Sequence, residues 1–234
     1  GFSSVLTKKK DFNSPDGNTP FGSMTLHNGK LYGMAEGGAN GYGVIFEMDA
    51  AAGTYSKKID LNGNDGSSPQ SSLTYYNGKF YGMTLTGGSN DMGVIFEWDP
   101  VANTYTKKID LDAANGIYPF GALALKDGKF YGMTLYGGAN DKGVIFEWDP
   151  ANNTYTKKID FNGTNGSYPF GSLSLSNGKF YGMTNGLEGQ NGSTSKGVIF
   201  EWDPSNNQYT KKYDFNGVDG RAPLGSLTLS GNKF

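Results

Sequence analysis

The heptad GVIFEWD occupies Gly143–Asp149 and occurs in identical form at Gly93–Asp99 and Gly197–Asp203, with a near copy, GVIFEMD, at Gly43–Asp49. The opening glycines of the four copies are 50, 50 and 54 residues apart. Repeats of this length are typical of solenoids and propellers. The chain is therefore built from copies of one structural unit, and the contents of that unit decide between the two architectures.

Residues 119–161 contain one complete unit. PFGALAL has the alternation of a strand, and the Asp-Gly that follows favours a tight hairpin turn. KFYGMT, GVIFEWD and TYTKKIDF are three further strand patterns, rich in β-branched and aromatic residues, and no window has helical periodicity. Four short antiparallel strands per unit are typical of a β-propeller blade. The paired lysines of the fourth strand indicate an outer edge, where charge discourages pairing with other chains.

The sequence thus predicts an all-β protein, a single β-propeller domain over residues 1–234. Four blades are complete, and about five blade positions are visible. The complete blades are expected at 20–61, 69–111, 119–161 and 169–215, and a partial blade would combine 222–234 with 5–12. The alternative is a truncated part of a larger propeller.

The composition excludes several classes of function. The chain has 234 residues, a net charge of −2 and no cysteine, so disulfides and thiolate chemistry are absent. Arg221 is the only arginine, and because phosphate and base recognition depend on arginine, nucleic acid is not expected as a partner. No run of 18 apolar residues exists, so we expect no membrane span.

The heptad ends in two carboxylates, such as Glu147 and Asp149, which share one face of their strand. Glycosidases use a pair of carboxylates. A catalytic pair is normally unique, however, whereas this pair recurs in four blades. We therefore expect a structural role, in which the aspartate begins a turn and the glutamate meets a lysine or a backbone donor, and we predict no catalytic residue.

The connection after the fourth strand is rich in oxygen ligands. Asp60, Asn62, Asn64 and Asp65 approach the D-x-[DN]-x-[DN]-G calcium pattern and are the candidate metal ligands. The glycine falls one place late and the distal glutamate is missing. Asx turns explain the same residues, so we expect no cofactor, with Ca²⁺ as the alternative.

The clearest departure from the repeat lies in a loop. The segment 185–196 is four residues longer than its counterpart in the preceding unit. Because binding residues concentrate on loops held by a rigid scaffold, we predict a ligand site at this face of the molecule. Its candidate residues are Glu188, Gln190, Asn191, Tyr136, Asn140 and Asp141. Tyrosines outside the strict repeat are further candidates for ligand contact, namely Tyr76, Tyr118, Tyr136 and Tyr168. The tryptophans at the sixth position of the heptad are expected to pack between blades.

The pattern FNGTNGSYPFGSLSLSNGKFYGMT followed by GVIFEWDP resembles the GloVer-type (Gloeo/Verruco) glycine-rich tandem repeats of bacterial extracellular proteins. This sequence differs in having Met34, Met83, Met133 and Met183 where the family more often has threonine. The resemblance implies secretion or surface display, often within a larger adhesin-like protein, and it brings no catalytic residues.

Three function classes follow. The first is a non-enzymatic β-propeller interaction module of a secreted or cell-surface bacterial protein, which binds glycan or protein through its loop face and serves adhesion. The second is a carbohydrate-active enzyme, a glycoside hydrolase or lyase, on a propeller scaffold. The third is a purely structural spacer.

Overall fold

A computed structural model describes residues 7–186 and 195–230. In these residues the protein forms sixteen strands and one short 3-10 helix, Ser14–Asp16. The strands make four separate sheets of four antiparallel strands, and in each sheet the strands follow one another in chain order. The predicted fold class, an all-β protein made of four-stranded antiparallel blades, is confirmed.

We call the sheets blades 1 to 4 and number the strands along the chain. Blade 1 contains β1 (Thr25–His27), β2 (Lys30–Ala35), β3 (Val44–Asp49) and β4 (Thr54–Asp60); blade 2 contains β5 (Thr74–Tyr76), β6 (Lys79–Thr84), β7 (Val94–Asp99) and β8 (Thr104–Asp110). Blade 3 contains β9 (Ala124–Lys126), β10 (Lys129–Thr134), β11 (Val144–Asp149) and β12 (Thr154–Asp160); blade 4 contains β13 (Ser174–Ser176), β14 (Lys179–Thr184), β15 (Val198–Asp203) and β16 (Gln208–Asp214).

The hairpin between the first and second strands of a blade follows from two turn residues. Asp127 and Gly128 have φ angles of 52° and 78°, the positive values that a two-residue turn requires. Asn or Asp with glycine fills the same places in the other blades. In the next strand, Gly132 pairs with Phe146, and a Cβ on this glycine would lie 2.5 Å from the Phe146 ring. The glycine is therefore needed so that the phenylalanine can lie flat across the sheet.

The hydrophobic core lies between blades. Trp148, Phe130 and Phe146 on one side of blade 3 are fully buried against Tyr81 and Met83 of blade 2. The rings of Phe130 and Trp148 stack with centroids 5.5 Å apart. Equivalent clusters join blade 1 to blade 2 and blade 3 to blade 4. The prediction that the heptad tryptophans pack between blades is therefore confirmed.

The first strands of consecutive blades also touch, which places them at the inner side of the arrangement. Thr25 Oγ1 donates to Leu73 O at 2.5 Å, and Thr74 Oγ1 donates to Leu123 O at 2.7 Å. The backbone comes so close here that a Cβ on Gly121 would overlap the carbonyl of Gly171. The fourth strand lies at the opposite edge of each sheet, as predicted from its lysines.

Residues near both ends of the described chain repeat contacts that are seen between neighbouring blades. Phe12 contacts Phe46 at a centroid distance of 5.4 Å, as Phe161 contacts Phe200 in blade 4. At the other end, Ser226 Oγ accepts from Ser172 N at 2.7 Å, in the way that Ser172 Oγ accepts from Ala122 N. Within the described residues neither segment contributes one of the sixteen strands, and the combined fifth blade stays a prediction.

Candidate functional site

One end of the molecule carries the loops between second and third strands and the connections between blades; we call it the loop face. Its loops are fixed by side chains of the repeat. In blade 3, Ala139 N donates to Asp160 Oδ1 at 2.7 Å and Gly137 N donates to Asp141 Oδ1 at 2.9 Å. Asn140 Nδ2 donates to Phe161 O at 3.1 Å. The bonds to Asp160 and Phe161 tie the loop to the end of the outer strand, and the bond to Asp141 closes the loop on itself.

The structure places the predicted site residues in two groups. Glu188, Gln190 and Asn191 lie outside the described residues. Asn140 and Asp141 do lie on the loop face, and both hold the loop in shape. Asn90 and Asp91 make the same contacts in blade 2. A role of Asn140 or Asp141 in ligand contact stays a prediction, and their loop-shaping role is shared between blades.

Three tyrosines meet on the loop face of blade 3: Tyr118 in the connection before this blade, Tyr136 in its loop and Tyr168 in the connection after it. Tyr136 lies edge-on to Tyr118 at 6.3 Å and to Tyr168 at 5.2 Å between ring centroids. Tyr118 and Tyr136 are half-buried, whereas Tyr168 is fully buried. Burial, together with the neighbouring Tyr168 and Asp141, raises the pKa of Tyr136, so its hydroxyl is a neutral donor and acceptor. Tyr76 lies elsewhere, against Phe130 near the hairpin end.

An apolar pocket of about 200 Å³ adjoins this cluster. It is lined by Leu85, Thr86, Tyr118, Phe120 and Leu135. The Phe120 ring lies 4.9 Å from that of Phe170, the residue at the same repeat position in the next blade. Neither Phe120 nor Phe170 is among the residues predicted from the sequence. The available signal is the Pro-Phe-Gly that recurs at the start of the inner strand, which by itself indicates only a strand.

The repeated carboxylates are engaged in structure. Glu147 accepts from Lys129 Nζ at 3.0 Å and lies 3.4 Å from Lys158 Nζ. Asp149 Oδ1 accepts from Ala151 N at 2.9 Å and so begins the turn to the outer strand. Both roles agree with the sequence analysis. Each glutamate of the heptad has a comparable lysine from the second strand, namely Lys30, Lys79, Lys129 or Lys179.

These partners keep Glu147 and Glu201 ionised. The hydrogen bond from Lys179, with those from Tyr181 and Lys212, lowers the pKa of Glu201 to about 2, although burial opposes the shift. At Glu147, burial is outweighed by the hydrogen bond from Lys129 and the charge of Lys158, and the pKa is again lowered. A carboxyl held in this state is a poor general acid, because it carries no proton at neutral pH.

The candidate calcium ligands have partners within the protein. Asp60 accepts from Ala39 N at 2.8 Å and pairs with Lys57 Nζ at 2.6 Å. Asp65 N donates to Asn62 Oδ1 at 2.9 Å, which forms an Asx turn, and the Asn64 carbonyl accepts from Lys107 Nζ at 2.9 Å. Among the described residues, no group of three or more His, Cys, Asp or Glu side chains is arranged to hold a metal ion.

Comparison with protein families identifies the repeat. Residues 35–234 match the family model of the Gloeobacter/Verrucomicrobia repeat. The chain belongs to this family, which confirms the resemblance seen in the sequence. No curated protein matches the chain. In the part of the chain that the structure describes, no helix has the length and apolar character needed to cross a membrane.

Solved β-propeller structures share the fold. A chain of a nidogen/laminin complex superposes with a TM-score of 0.57 and 11% identity, over 85% of this chain and 63% of that chain. TolB from Acinetobacter baumannii gives 0.53 and 14%, over 80% and 41%. The subtype N11 neuraminidase-like protein of A/flat-faced bat/Peru/033/2010 (H18N11) gives 0.53 and 15%, over 85% and 59%. At this identity the likeness concerns the fold, and the chain spans less than two thirds of each relative's length.

Proposed function

We propose that this chain is a non-enzymatic interaction module of a secreted or cell-surface bacterial protein, and that it binds glycan through its loop face. The family and the propeller fold support an interaction or structural module. The observation that carries the finer proposal is the aromatic site formed by the half-buried rings of Tyr118, Tyr136 and Phe120 beside an apolar pocket.

The chemistry of this site suits a sugar. Aromatic faces pack against the apolar C–H surface of a sugar ring, and the tyrosine hydroxyls reach its polar groups. Ligand sites typically combine apolar walls with a few polar groups. The pocket walls are apolar, while the surrounding loops are rich in glycine, asparagine and aspartate. The repeated carboxylates are held in ion pairs and turns, which favours binding without turnover.

The proposal is tested with variants that copy the chain's own residues. Tyr118→Ser and Tyr136→Thr give each position the residue type found at the same repeat position of blade 2, Ser68 and Thr86. The fold should therefore tolerate both substitutions. Each is screened on a glycan array, and the strongest ligand is then titrated by calorimetry. We expect the double variant to bind at least about tenfold more weakly, a loss of about 1.4 kcal/mol. The control is Tyr42→Met at the loop face of blade 1, which introduces the residue type found at the same repeat position in blade 2, Met92. It should bind within about twofold of the parent.

The same samples separate the function classes. Binding without cleavage of the ligand supports the proposal. Cleavage of the bound glycan would contradict it and favour a carbohydrate-active enzyme. Binding of no glycan by the parent protein would contradict it as well and leave a protein-binding or structural module. An unchanged affinity of the double variant would remove the tyrosine site.

A further inference from the structure

A polar cleft opens on the loop face between blades 3 and 4. Its volume is about 500 Å³, within the range of roughly 300–1,000 Å³ that ligand pockets occupy. Lys142, Asn162, Thr164, Lys196, Lys211 and Asp214 line it. The equivalent cleft between blades 1 and 2 is about 280 Å³ and has Tyr42, Asn62, Asn64 and Asp91 among its walls. The two clefts occupy the same place in the repeat, so their differences show what the sequence has changed.

The main difference is positive charge at one repeat position. The residue before the heptad is Tyr42 in blade 1, Met92 in blade 2, Lys142 in blade 3 and Lys196 in blade 4. Lys142 extends over the connection that follows its blade, and a Cβ on Gly163 would lie 3.1 Å from Lys142 Nζ. Gly163 therefore leaves room for the Lys142 ammonium group beside the connection that lines the cleft.

Lys211 and Lys142 differ in how their charges are matched within the described residues. Lys211 Nζ pairs with Asp214 at 2.7 Å and donates to Thr164 O at 3.2 Å, so the carboxylate is already matched by one lysine. Among the described residues, Lys142 Nζ has no hydrogen-bond acceptor or ion-pair partner. The Nδ2 group of Asn162 also has no acceptor there, while its Oδ1 accepts from Asn165 N at 3.0 Å. The cleft thus offers a cation and an amide donor to a ligand.

From this arrangement we propose that the cleft between blades 3 and 4 binds an acidic substituent of a glycan, a uronic acid carboxylate or a sulfate ester. The inference rests on the proposed glycan binding and names the class of glycan. An anionic group gives Lys142 the partner that it lacks, and the sugar that carries the group meets the asparagine and threonine side chains. The attraction falls with ionic strength, because the cleft is open to solvent.

The test uses two matched pairs of probes: dextran sulfate against dextran oligosaccharides, and oligogalacturonate against its methyl ester. In each pair only the acidic group differs. We expect the intact protein to bind the acidic member at least about tenfold more tightly at low salt, and the pair with the larger ratio identifies the substituent. Lys142→Met, which copies Met92, should remove most of that preference. Lys126→Met makes the same charge change at the hairpin end, where Lys126 pairs with Asp127, and should leave it unchanged.

Three results would overturn the inference. Equal affinity for the acidic and neutral members of each pair would show that the cleft does not select an acidic group. It would leave the proposed glycan binding intact. Equal losses in the Lys142 and Lys126 variants would show a diffuse electrostatic effect in place of a site. Binding of no glycan, acidic or neutral, would overturn the inference and the proposed function together.

Discussion

The indole Nε1 of Trp148 donates to Asn153 Oδ1 at 3.0 Å, and Asn153 Nδ2 donates in turn to Lys108 O of the preceding blade at 3.1 Å. Asn153 has a φ of 55°, a conformation that asparagine tolerates better than most residues. Trp98 with Asn103 and Trp202 with Asn207 repeat the contact. In blade 1 both members change, to Met48 and Gly53. The tryptophan and the asparagine therefore act as a unit that joins neighbouring blades.

This coupling predicts a non-additive pair of substitutions. Asn153→Gly leaves the buried indole N–H without an acceptor and should lower the free energy of unfolding by about 1–3 kcal/mol. In a Trp148→Phe background, which lacks the N–H, the same change should cost about 1 kcal/mol less. Urea unfolding of the four proteins measures the difference. Gly53→Asn, beside Met48, is the control and should be near neutral; additivity within about 0.3 kcal/mol would disprove the coupling.

The close approach of inner strands predicts a position-dependent effect of one methyl group. Gly121→Ala places a Cβ against the Gly171 carbonyl and should destabilise the protein by about 1–3 kcal/mol. Gly225 has the same repeat position, but a Cβ there meets no atom within 4 Å. Gly225→Ala should therefore change stability by less than about 0.5 kcal/mol. Thermal unfolding compares the two, and equal effects would be incompatible with the inner-strand packing.

Tyr168 predicts a stabilising substitution. Its side chain is fully buried and its hydroxyl has no hydrogen-bond partner among the described residues. Tyr168→Phe removes this unsatisfied group and keeps the ring, so the free energy of unfolding should rise by about 1–2 kcal/mol. Chemical denaturation measures the change. Tyr155→Phe is the contrasting variant, because the Tyr155 hydroxyl donates to Asn115 O at 2.8 Å, and it should destabilise. A loss of stability in Tyr168→Phe would show that this hydroxyl has a role.

The lowered pKa of Glu201 predicts that the free energy of unfolding falls in acid. The hydrogen bonds from Lys179 and Tyr181, with Lys212 nearby, lower the pKa of Glu201 from 4.5 to about 2. Because the folded value lies below the unfolded one, this glutamate stabilises the fold above pH 4.5, and its contribution is lost as the pH falls towards 2. The contribution should be on the order of 1–2 kcal/mol for a pair at the surface.

The measurement compares the parent protein with Glu201→Gln by urea unfolding at several pH values. The parent should be more stable at neutral pH, and the difference should shrink between pH 4.5 and 2. The charge of Glu201 also opposes the lowering of the Asp203 pKa by Ser205, so the stability difference includes a small contribution from Asp203. A difference that is constant across this range would contradict the assigned pKa.

The strands could be predicted from the sequence because their signals are local. Asp127-Gly128 determines a turn by itself, and the β-branched and aromatic heptad determines a buried strand. The lysines of the outer strand predict its position at the sheet edge, and the structure adds their partners. Lys157 pairs with Asp160 at 3.0 Å, and Lys158 lies 3.4 Å from Glu147. A bulge between Ile145 and Phe146 shifts the register of β11 against β12, and no sequence pattern predicts this bulge.

The candidate site was less accessible to sequence reasoning than the fold. Tyr118 and Tyr136 were selected because they break the repeat, and the structure brings them together with Tyr168. Phe120 and the cation at Lys142 were missed, since their importance depends on the neighbouring blade. Contacts of this kind arise from the angle between blades, which no short stretch of sequence encodes.

The outer strands have a consequence for molecular recognition. Tyr155 and Lys157 of blade 3 donate to the carbonyls of Asn115 and Ala114, in the connection that precedes their blade. Each connection is thus clamped by the blade that follows it, so a ligand meets a surface that is already ordered. Association with such a preorganised surface loses little conformational entropy, and affinity depends on the contacts themselves.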